Sequence, residues 1–222
     1  WTDSRKRRIL ESRRQGTRAL VEGMVAAQDR PRVFVSSSAV GYYGDRGDEV
    51  LTEASGPGTG FLSEVAGVWE AEALRASAAG IRTVVVRTGL VLGPDGGMLA
   101  KLRLPFSLGL GTVLASGRHW MPWIHRDDLI RLLLHVCRAD VTGPFNAASP
   151  GIVRNREFTH ALAGSLGRPA FLTVPGFALR LMLGEMATLL LGSTRAVPAQ
   201  AAKCGFEFRH VDIHETFLDL LR

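Results

Sequence analysis

Apolar positions in the first half of the chain switch twice between helical and strand spacing. Helical spacing runs over residues 4–28 and returns over residues 61–79. Short apolar runs rich in branched side chains follow each helical stretch, at residues 32–37 and 83–89, and are typical of buried parallel strands. Helix, strand, helix, strand is the rhythm of βαβ units. We therefore predict an α/β fold, a Rossmann-like doubly wound parallel sheet with helices on both faces.

The second half predicts a less regular arrangement. A helix begins near Asp127, a strand covers residues 144–147, and another helix lies near residues 156–166. Prolines separate the helical segments of residues 167–222, and Asp212 with Glu215 forms a capping box for the final helix. We therefore predict a Rossmann-like region over residues 1–166 and a smaller, mostly helical region over residues 167–222.

Residues 176–192 form the most apolar stretch of the chain. Arg180 and Glu185 interrupt it, so it is shorter than the ~18 uninterrupted apolar residues of a membrane span. We interpret the stretch as a helix packed on the sheet region.

The net charge of +6 is concentrated near the start of the chain. Residues 1–32 hold nine Lys and Arg against four acidic residues. A basic helix can bind nucleic acid or an anionic membrane. Stacking aromatic residues are not interleaved with these charges, which favours a solvated helix face. We expect neither a nucleic-acid nor a membrane partner.

Cys137 and Cys204 are the only cysteines of the 222 residues. Two widely spaced thiols do not form a disulfide framework, and no secretory signal pattern is found. We expect a reducing, cytoplasmic location.

Two predicted strands end in residues suited to contact a ligand. The first runs into Ser36, Ser37 and Ser38, and the second into Thr88 and Gly89. Ligands of open parallel sheets lie beyond the carboxyl ends of the strands. A serine hydroxyl can position a substrate oxygen, and glycine allows close approach to the backbone. We predict that these two strands are neighbours and that their ends face a nucleotide.

A series of ordered motifs supports a family resemblance. The motifs are V-F-V-S-S-S-A-V-G-Y-Y-G-D, L-T-E-A-S-G-P, R-T-G-L-V-L-G-P, W-I-H-R-D-D-L and G-P-F-N-A-A-S-P. Together they resemble the extended short-chain dehydrogenase/reductase superfamily, the NAD-dependent epimerase/dehydratase family. G-P-D-G-G-M-L and R-A-V-P-A-Q are similar to an epimerase-like subgroup with its own C-terminal domain. The resemblance covers essentially the whole chain.

The resemblance implies NADP or NAD as the cofactor and a small molecule as the substrate. The family's glycine-rich pyrophosphate loop is not found here, and the family pattern places it before Trp1. We therefore expect a truncated sheet whose N-terminal nucleotide-binding part lies outside the chain. Cofactor binding by these residues is then weak or absent, and self-association through the truncated sheet edge becomes possible.

The family's oxidoreductases use Tyr-x-x-x-Lys on one helix face, where the lysine charge lowers the pKa of the tyrosine. The matching positions here hold Phe61 and Val65, which carry neither a transferable proton nor a charge. The catalytic serine position matches Ser38. Tyr42 is a possible substitute acid, with packing on the sheet as the alternative. Two functions stay open: an NAD(P)-dependent epimerase-like oxidoreductase acting on a hydroxyl, carbonyl or nucleotide-sugar substrate, and a non-catalytic NADP(H)-binding regulatory or scaffold protein.

Further binding residues follow from the resemblance. Arg118 resembles a sugar-nucleotide contact, with an ordinary loop arginine as the alternative. His125 lies in the segment that borders the substrate cleft and could face a substrate phosphate, whereas Asp127 and Asp128 in the same segment more often serve as helix N-terminal charges. His210 and His214 have helical spacing, but the capping box leaves His210 outside the helix, so we expect no metal site. The predicted cofactor contacts are Arg13, Ser36, Ser37, Thr88, Gly89 and Val91.

Overall fold

The structure is a computed structural model that describes residues 1–221. Its helices are α1 (Asp3–Ala26), α2 (Phe61–Ala78), α3 (Gly97–Ser107), α4 (Arg126–Arg138), α5 (Asn155–Ser165), α6 (Gly176–Leu183), α7 (Ala187–Leu191), α8 (Ala199–Lys203) and α9 (Ile213–Leu220). Its strands are β1 (Val33–Ala39), β2 (Val50–Leu51), β3 (Arg82–Thr88), β4 (Leu90–Leu92), β5 (Thr112–Leu114), β6 (Trp120–Met121), β7 (Trp123–His125), β8 (Gly143–Ala147), β9 (Val153–Arg154), β10 (Leu172–Val174) and β11 (Arg195–Ala196).

A three-stranded parallel sheet in the order β1-β3-β8 forms the centre of the fold. Alternate residues of β3 face opposite sides, as strand geometry requires. Val85 packs with Phe34 and with residues of α1 and α2, whereas Val84 and Val86 pack with residues of α4. Helices therefore cover both faces, and the predicted Rossmann-like α/β fold is confirmed.

Smaller strand pairs surround the central sheet. β4 pairs with β7, β5 with β10 and β2 with β11, all parallel, while β6 and β9 are antiparallel. Because β11 comes late in the chain and pairs with β2, the two predicted regions share contacts. The boundary at residue 166 stays a prediction.

The stretch of residues 176–192 is not one packed helix, so that interpretation was wrong. It forms α6, a 3-10 turn over Gly184–Met186, and α7. Gly184 has φ +56°, a left-handed conformation that ends α6 and that glycine adopts without steric cost. Several large apolar side chains of residues 176–192 are exposed.

The final helix begins as predicted. The Asp212 carboxylate accepts hydrogen bonds from the backbone N–H groups of His214 and Glu215. α9 then packs on α5, with the Phe158 and Phe217 rings edge to face at 5.0 Å. Among residues 1–221, no helix combines the length and apolar character needed to cross a membrane.

Candidate functional site

The carboxyl ends of the three central strands meet at one edge of the sheet. Ala39, Thr88 and Ala147 lie side by side in the register, and Ser38 pairs with Arg87. Gly89 follows directly after Thr88. The predicted neighbouring arrangement of the serine-ended and glycine-ended strands is therefore present.

The three serines of β1 point in alternating directions. Ser37 is exposed, and its hydroxyl makes no hydrogen bond within residues 1–221. Ser36 and Ser38 are buried on the opposite side, where the Ser36 hydroxyl contacts only the Ser37 carbonyl oxygen. Ser38 Oγ donates a short hydrogen bond of 2.6 Å to Glu70 Oε1 on α2.

Glu70 also forms a buried, bidentate ion pair with Arg87. Arg87 Nε and Nη2 donate to the two Glu70 oxygens at 2.9 and 2.8 Å. Arg87 is 4% exposed and Glu70 is 6% exposed. Burial alone would lower the pKa of Arg87, but the hydrogen bonds and charge of Glu70 outweigh burial and raise that pKa.

Tyr43 extends this network towards the C-terminal residues. Arg87 Nη1 donates to the Tyr43 hydroxyl at 2.9 Å, and that hydroxyl donates to Asn146 Oδ1 at 2.8 Å. Asn146 Nδ2 donates in turn to the Val197 carbonyl oxygen. Burial raises the pKa of Tyr43, while the Arg87 hydrogen bond opposes that rise. Tyr43 therefore stays a neutral phenol that stabilises the fold.

Sequence reasoning did not assign Glu70, Arg87 or Tyr43 to the site. A usable signal was present, because Arg87 lies inside a predicted buried strand. A charge at such a position requires a buried partner of opposite sign. Glu70, on the inner face of the preceding helix, is that partner.

Tyr42 occupies a different position from Tyr43. It is half-buried, and the Arg87 guanidinium carbon lies 3.6 Å from its ring centroid. Its carbonyl oxygen accepts hydrogen bonds from Ser63 Oγ and the Gly58 N–H. Within the described chain its phenol hydroxyl has no hydrogen-bond partner, so this group is free to meet a ligand.

An open cleft of about 590 Å³ lies beside the start of α2. Phe61 forms part of its wall and packs edge to face on Trp1 at 5.2 Å. Lys6 reaches over the Phe61 ring, with Nζ 5.7 Å from the centroid, and pairs with Glu185. Val65, one turn further along α2, is buried. Of the two positions singled out in the sequence, Phe61 therefore gives the cleft an apolar wall, while Val65 is buried and is not part of the lining.

Gly89 has a packing role in the structure. A Cβ at this position would lie 2.5 Å from the Pro122 carbonyl oxygen, so that carbonyl, and not a ligand, occupies the space that glycine leaves. The Gly89 N–H donates to the Ala147 carbonyl oxygen. Thr88 is half-buried at the strand end, and Val91 pairs with Ile124 in the neighbouring two-stranded sheet.

Arg13 and Arg118 make no hydrogen bond with the serines of β1 within residues 1–221. Arg13 is exposed on α1, with its guanidinium 5.1 Å from the Trp69 ring centroid and no carboxylate partner among residues 1–221. Arg118 is exposed in the loop before β6, and its carbonyl oxygen accepts a hydrogen bond from Arg154. The structure thus does not join these arginines to Ser38.

His125 is buried at the start of α4 and acts as its N-cap. Its Nδ1 accepts the Asp127 N–H at 3.0 Å, and its ring stacks on His210 with centroids 3.7 Å apart. Burial, reinforced by His210, lowers the pKa of His125.

The grouping of His125, His210 and Asp219 has the spacing of a metal site. The hydrogen bond to Nδ1 of His125 places the proton of the neutral ring on Nε2, the atom that faces Asp219 at 3.5 Å. A protonated nitrogen cannot bind a metal ion, so His125 does not fit the role of ligand here. The expectation of no metal site stays a prediction.

Comparison with known proteins identifies the family. The model of the NAD dependent epimerase/dehydratase family matches residues 1–148, and a domain of unknown function (DUF1731) matches residues 174–220. An epimerase family protein of Mycobacterium leprae is 39% identical over 218 residues, which are 97% of this chain and 70% of that protein. The chain belongs to the NAD-dependent epimerase/dehydratase family.

Solved structures of relatives share the fold. The human epimerase family protein SDR39U1, crystallised with NADPH, superposes with a TM-score of 0.92 at 30% identity and matches 99% of this chain and 75% of its own. A nucleoside-diphosphate sugar epimerase from Corynebacterium glutamicum gives a TM-score of 0.82 at 35% identity, matching 100% of this chain and 44% of its own.

The residues of this epimerase family chain fit a nicotinamide dinucleotide in part. The Ser37 hydroxyl makes no hydrogen bond in the described chain, and Thr88 lies at the same sheet edge as Ser37. Arg13 has no carboxylate partner there and donates only to the Ser12 hydroxyl, at 3.3 Å. The side chains of Ser36 and Ser38 are buried on the opposite side of β1, so their hydroxyls do not face a ligand at this edge as the Ser37 hydroxyl does. Ser37, Thr88 and Arg13 are therefore the side chains that could contact the cofactor.

Proposed function

We propose that this chain is part of an NAD(P)-dependent epimerase-like oxidoreductase that acts on a small hydroxyl or carbonyl substrate, such as a nucleotide sugar. The supporting observation is the register that brings the serine end of β1 and the glycine end of β3 to one sheet edge. The NADPH complex of the human relative supports a nicotinamide cofactor. The cofactor would supply hydride transfer, and the chain would supply orientation and proton transfer.

The hydrogen bond between Ser38 and Glu70 restricts what Ser38 can do. Its proton points to Glu70, so the remaining lone pairs of Ser38 Oγ can accept a hydrogen bond but the hydroxyl does not donate one elsewhere. As a substrate contact, Ser38, which is buried here, would therefore accept a hydrogen bond from a hydroxyl and would not donate one to a carbonyl.

Tyr42 is the proposed proton-transfer group. Its hydroxyl has no hydrogen-bond partner within residues 1–221, and the Arg87 guanidinium stacks on its ring and holds it in place. The Tyr42→Phe variant of the full-length protein should lose turnover and retain NADPH affinity, and equal turnover of the two forms would remove Tyr42 from the mechanism.

The second candidate is a non-catalytic NADP(H)-binding regulatory or scaffold protein. Phe61 and Val65 favour it, because the two positions of the family's usual acid and its lysine hold apolar side chains here, Phe61 at the cleft and Val65 in the core. Tight NADPH binding by the full-length protein without turnover over a broad carbonyl and nucleotide-sugar panel would support this candidate and rule out the enzyme.

For residues 1–222 alone we propose weak or absent NAD(P)(H) binding. Fluorescence titration with NADPH tests this, and a low-micromolar dissociation constant would contradict it. We further propose a reducing, cytoplasm-like location for the protein, in keeping with its two unpaired thiols.

Self-association is proposed through the outer edge of β1. Within residues 1–221, β1 pairs only with β3, so its other side carries unpaired backbone groups. Light scattering across a concentration series should show the molar mass rising with concentration.

A further inference from the structure

The most exposed large apolar side chains of residues 1–221 are concentrated in two segments. Six of them have exposed fractions from 65% to 86%, above every other large apolar side chain described. We call this set the apolar face: Leu104, Leu108, Phe171, Phe177, Leu181 and Met182.

The pairing of β5 with β10 joins the two segments. Leu172 lies opposite Thr112 in this parallel pair, so the residues that precede both strands, including Leu108 and Phe171, lie at one end. At the other end, Gly176 opens α6 close to Ala115, with 3.3 Å between the Ala115 Cβ and an ideal Cβ on Gly176. The apolar face therefore extends along one continuous piece of structure.

α6 is amphipathic in a way that leaves its apolar side uncovered. Leu179 is buried against the protein, whereas Phe177 and Leu181 are four residues apart and share one exposed side of the helix. Exposed apolar surface on this scale marks an interaction site.

The two segments that carry the apolar face contain charges of one sign only, with Asp95 and Glu185 at their borders. Residues 96–114 and 165–184 contain no Asp or Glu, and their four cationic residues are all exposed. None of these cations forms a salt bridge within residues 1–221; they are Lys101, Arg103, Arg168 and Arg180.

We propose that the apolar face docks on the surface of an anionic lipid bilayer. Exposed phenylalanine and leucine side chains enter the headgroup region, and the surrounding cations attract anionic lipids. A second copy of this chain fits less well, because two such faces would bring their positive charges together. The expectation of no membrane partner weighed the basic first helix as a surface binder and residues 176–192 as a membrane-crossing segment, but it did not weigh this exposed face as a docking surface.

Vesicle sedimentation tests the proposal. The protein should sediment with vesicles of phosphatidylcholine and phosphatidylglycerol in equal parts, and not with phosphatidylcholine alone. Added salt should weaken the binding. Each cation near an anionic surface contributes about fivefold to affinity. Arg180→Glu should therefore lower affinity at least fivefold, and Leu181→Ser should also lower it.

Matched controls come from α4, which lies outside the apolar face. Leu134→Ser removes an exposed leucine and Arg138→Glu makes the same charge change as Arg180→Glu, and both should sediment like the parent. Circular dichroism checks that every variant is folded.

Three outcomes would overturn the proposal. One is the absence of binding to anionic vesicles. Another is a loss of vesicle affinity in the α4 controls equal to that of Arg180→Glu and Leu181→Ser, which would indicate a non-specific effect. The third is a dimer, seen by light scattering, that Leu181→Ser dissolves while vesicle binding is unchanged, because a second copy would then cover the face.

Discussion

At the scale of single residues, the buried pair Glu70–Arg87 organises the site edge. Glu70 accepts a hydrogen bond from the Ser38 hydroxyl, and Arg87 donates one to the Tyr43 hydroxyl, which donates in turn to Asn146. The sequence motifs indicated Ser38 and Tyr42 but not this pair, because motifs describe a strand end and not the contacts behind it. Side-chain direction depends on strand pairing and helix packing, which act across long sequence separations.

Replacing one partner of this pair should be costly. Glu70→Gln leaves the Arg87 charge buried without compensation, and we expect a loss of about 3–5 kcal/mol in the free energy of unfolding. Urea unfolding measures this loss. Glu64→Gln, exposed on the same helix, serves as the control and should change little. A double change of Glu70→Leu and Arg87→Met should cost clearly less than the sum of the single changes, and simple additivity would argue against a coupled pair.

Gly89→Ala should destabilise the fold because its Cβ would meet the Pro122 carbonyl oxygen at 2.5 Å. We expect a loss of about 1–3 kcal/mol. At Gly93, an added Cβ lies 3.6 Å from Arg126 side-chain atoms, an ordinary contact. Gly93→Ala should therefore be tolerated in the same unfolding assay, and equal stability of the two variants would contradict the packing role of Gly89.

His125 should make stability depend on pH. Its pKa is lower in the folded protein than its ordinary value of 6.5, so the unfolded chain binds more protons in the interval between the two values. Stability therefore falls as pH drops through 6.5 and levels off below the folded pKa. His125→Asn keeps a side chain that can cap α4 and should reduce this dependence. Thermal unfolding from pH 5 to 8 measures it, with the exposed His160→Asn as the control; an unchanged slope for His125→Asn would contradict the assignment.

At the scale of elements, α1 is the least embedded helix that borders the site. Of its 24 residues, only Thr17 and Val21 are buried. It is held to α2 by Glu72, which pairs with Arg18 on α1 and with Arg75 on its own helix. The hydrogen bonds from Arg18 and Arg75 lower the pKa of Glu72 to about 2.

Glu72→Gln should loosen α1 before the rest of the protein. Amide hydrogen exchange should become faster across α1 and stay unchanged in β3. Because the folded pKa of Glu72 is depressed, its contribution is present above its ordinary value of 4.5 and is lost as pH falls towards 2. The parent and the variant should therefore converge in strong acid. Glu64→Gln is again the control, and uniform acceleration over the whole chain would indicate global destabilisation instead.

The apolar stretch of residues 176–192 shows where element prediction from sequence stops. Its hydrophobicity predicted a packed helix, but Gly184 divides it and the long side chains of α6 are left exposed. Hydrophobicity indicates that a segment favours burial, but it does not determine whether other residues of the same chain bury it.

At the scale of the whole molecule, hydrophobic spacing was sufficient for the architecture. The two runs of branched residues form β1 and β3, and these strands pair in parallel, as the βαβ order predicts. Their register places Ser38 opposite Arg87. Helix starts at residue 61 and near residue 126 were also found from sequence. The small strand pairs of two or three residues were missed, because so few residues carry no periodic signal.

The central claim is that the adjoining ends of β1 and β3 face the nicotinamide cofactor. Titration of the ¹⁵N-labelled 222-residue chain with NADPH, followed by amide NMR shifts, tests it even when binding is weak. The account predicts shifts at residues 36–38, at Thr88 and Gly89, and near Arg13, with saturation well above micromolar NADPH. Shifts confined to the basic stretch of residues 5–8, or spread evenly over the surface, would contradict it.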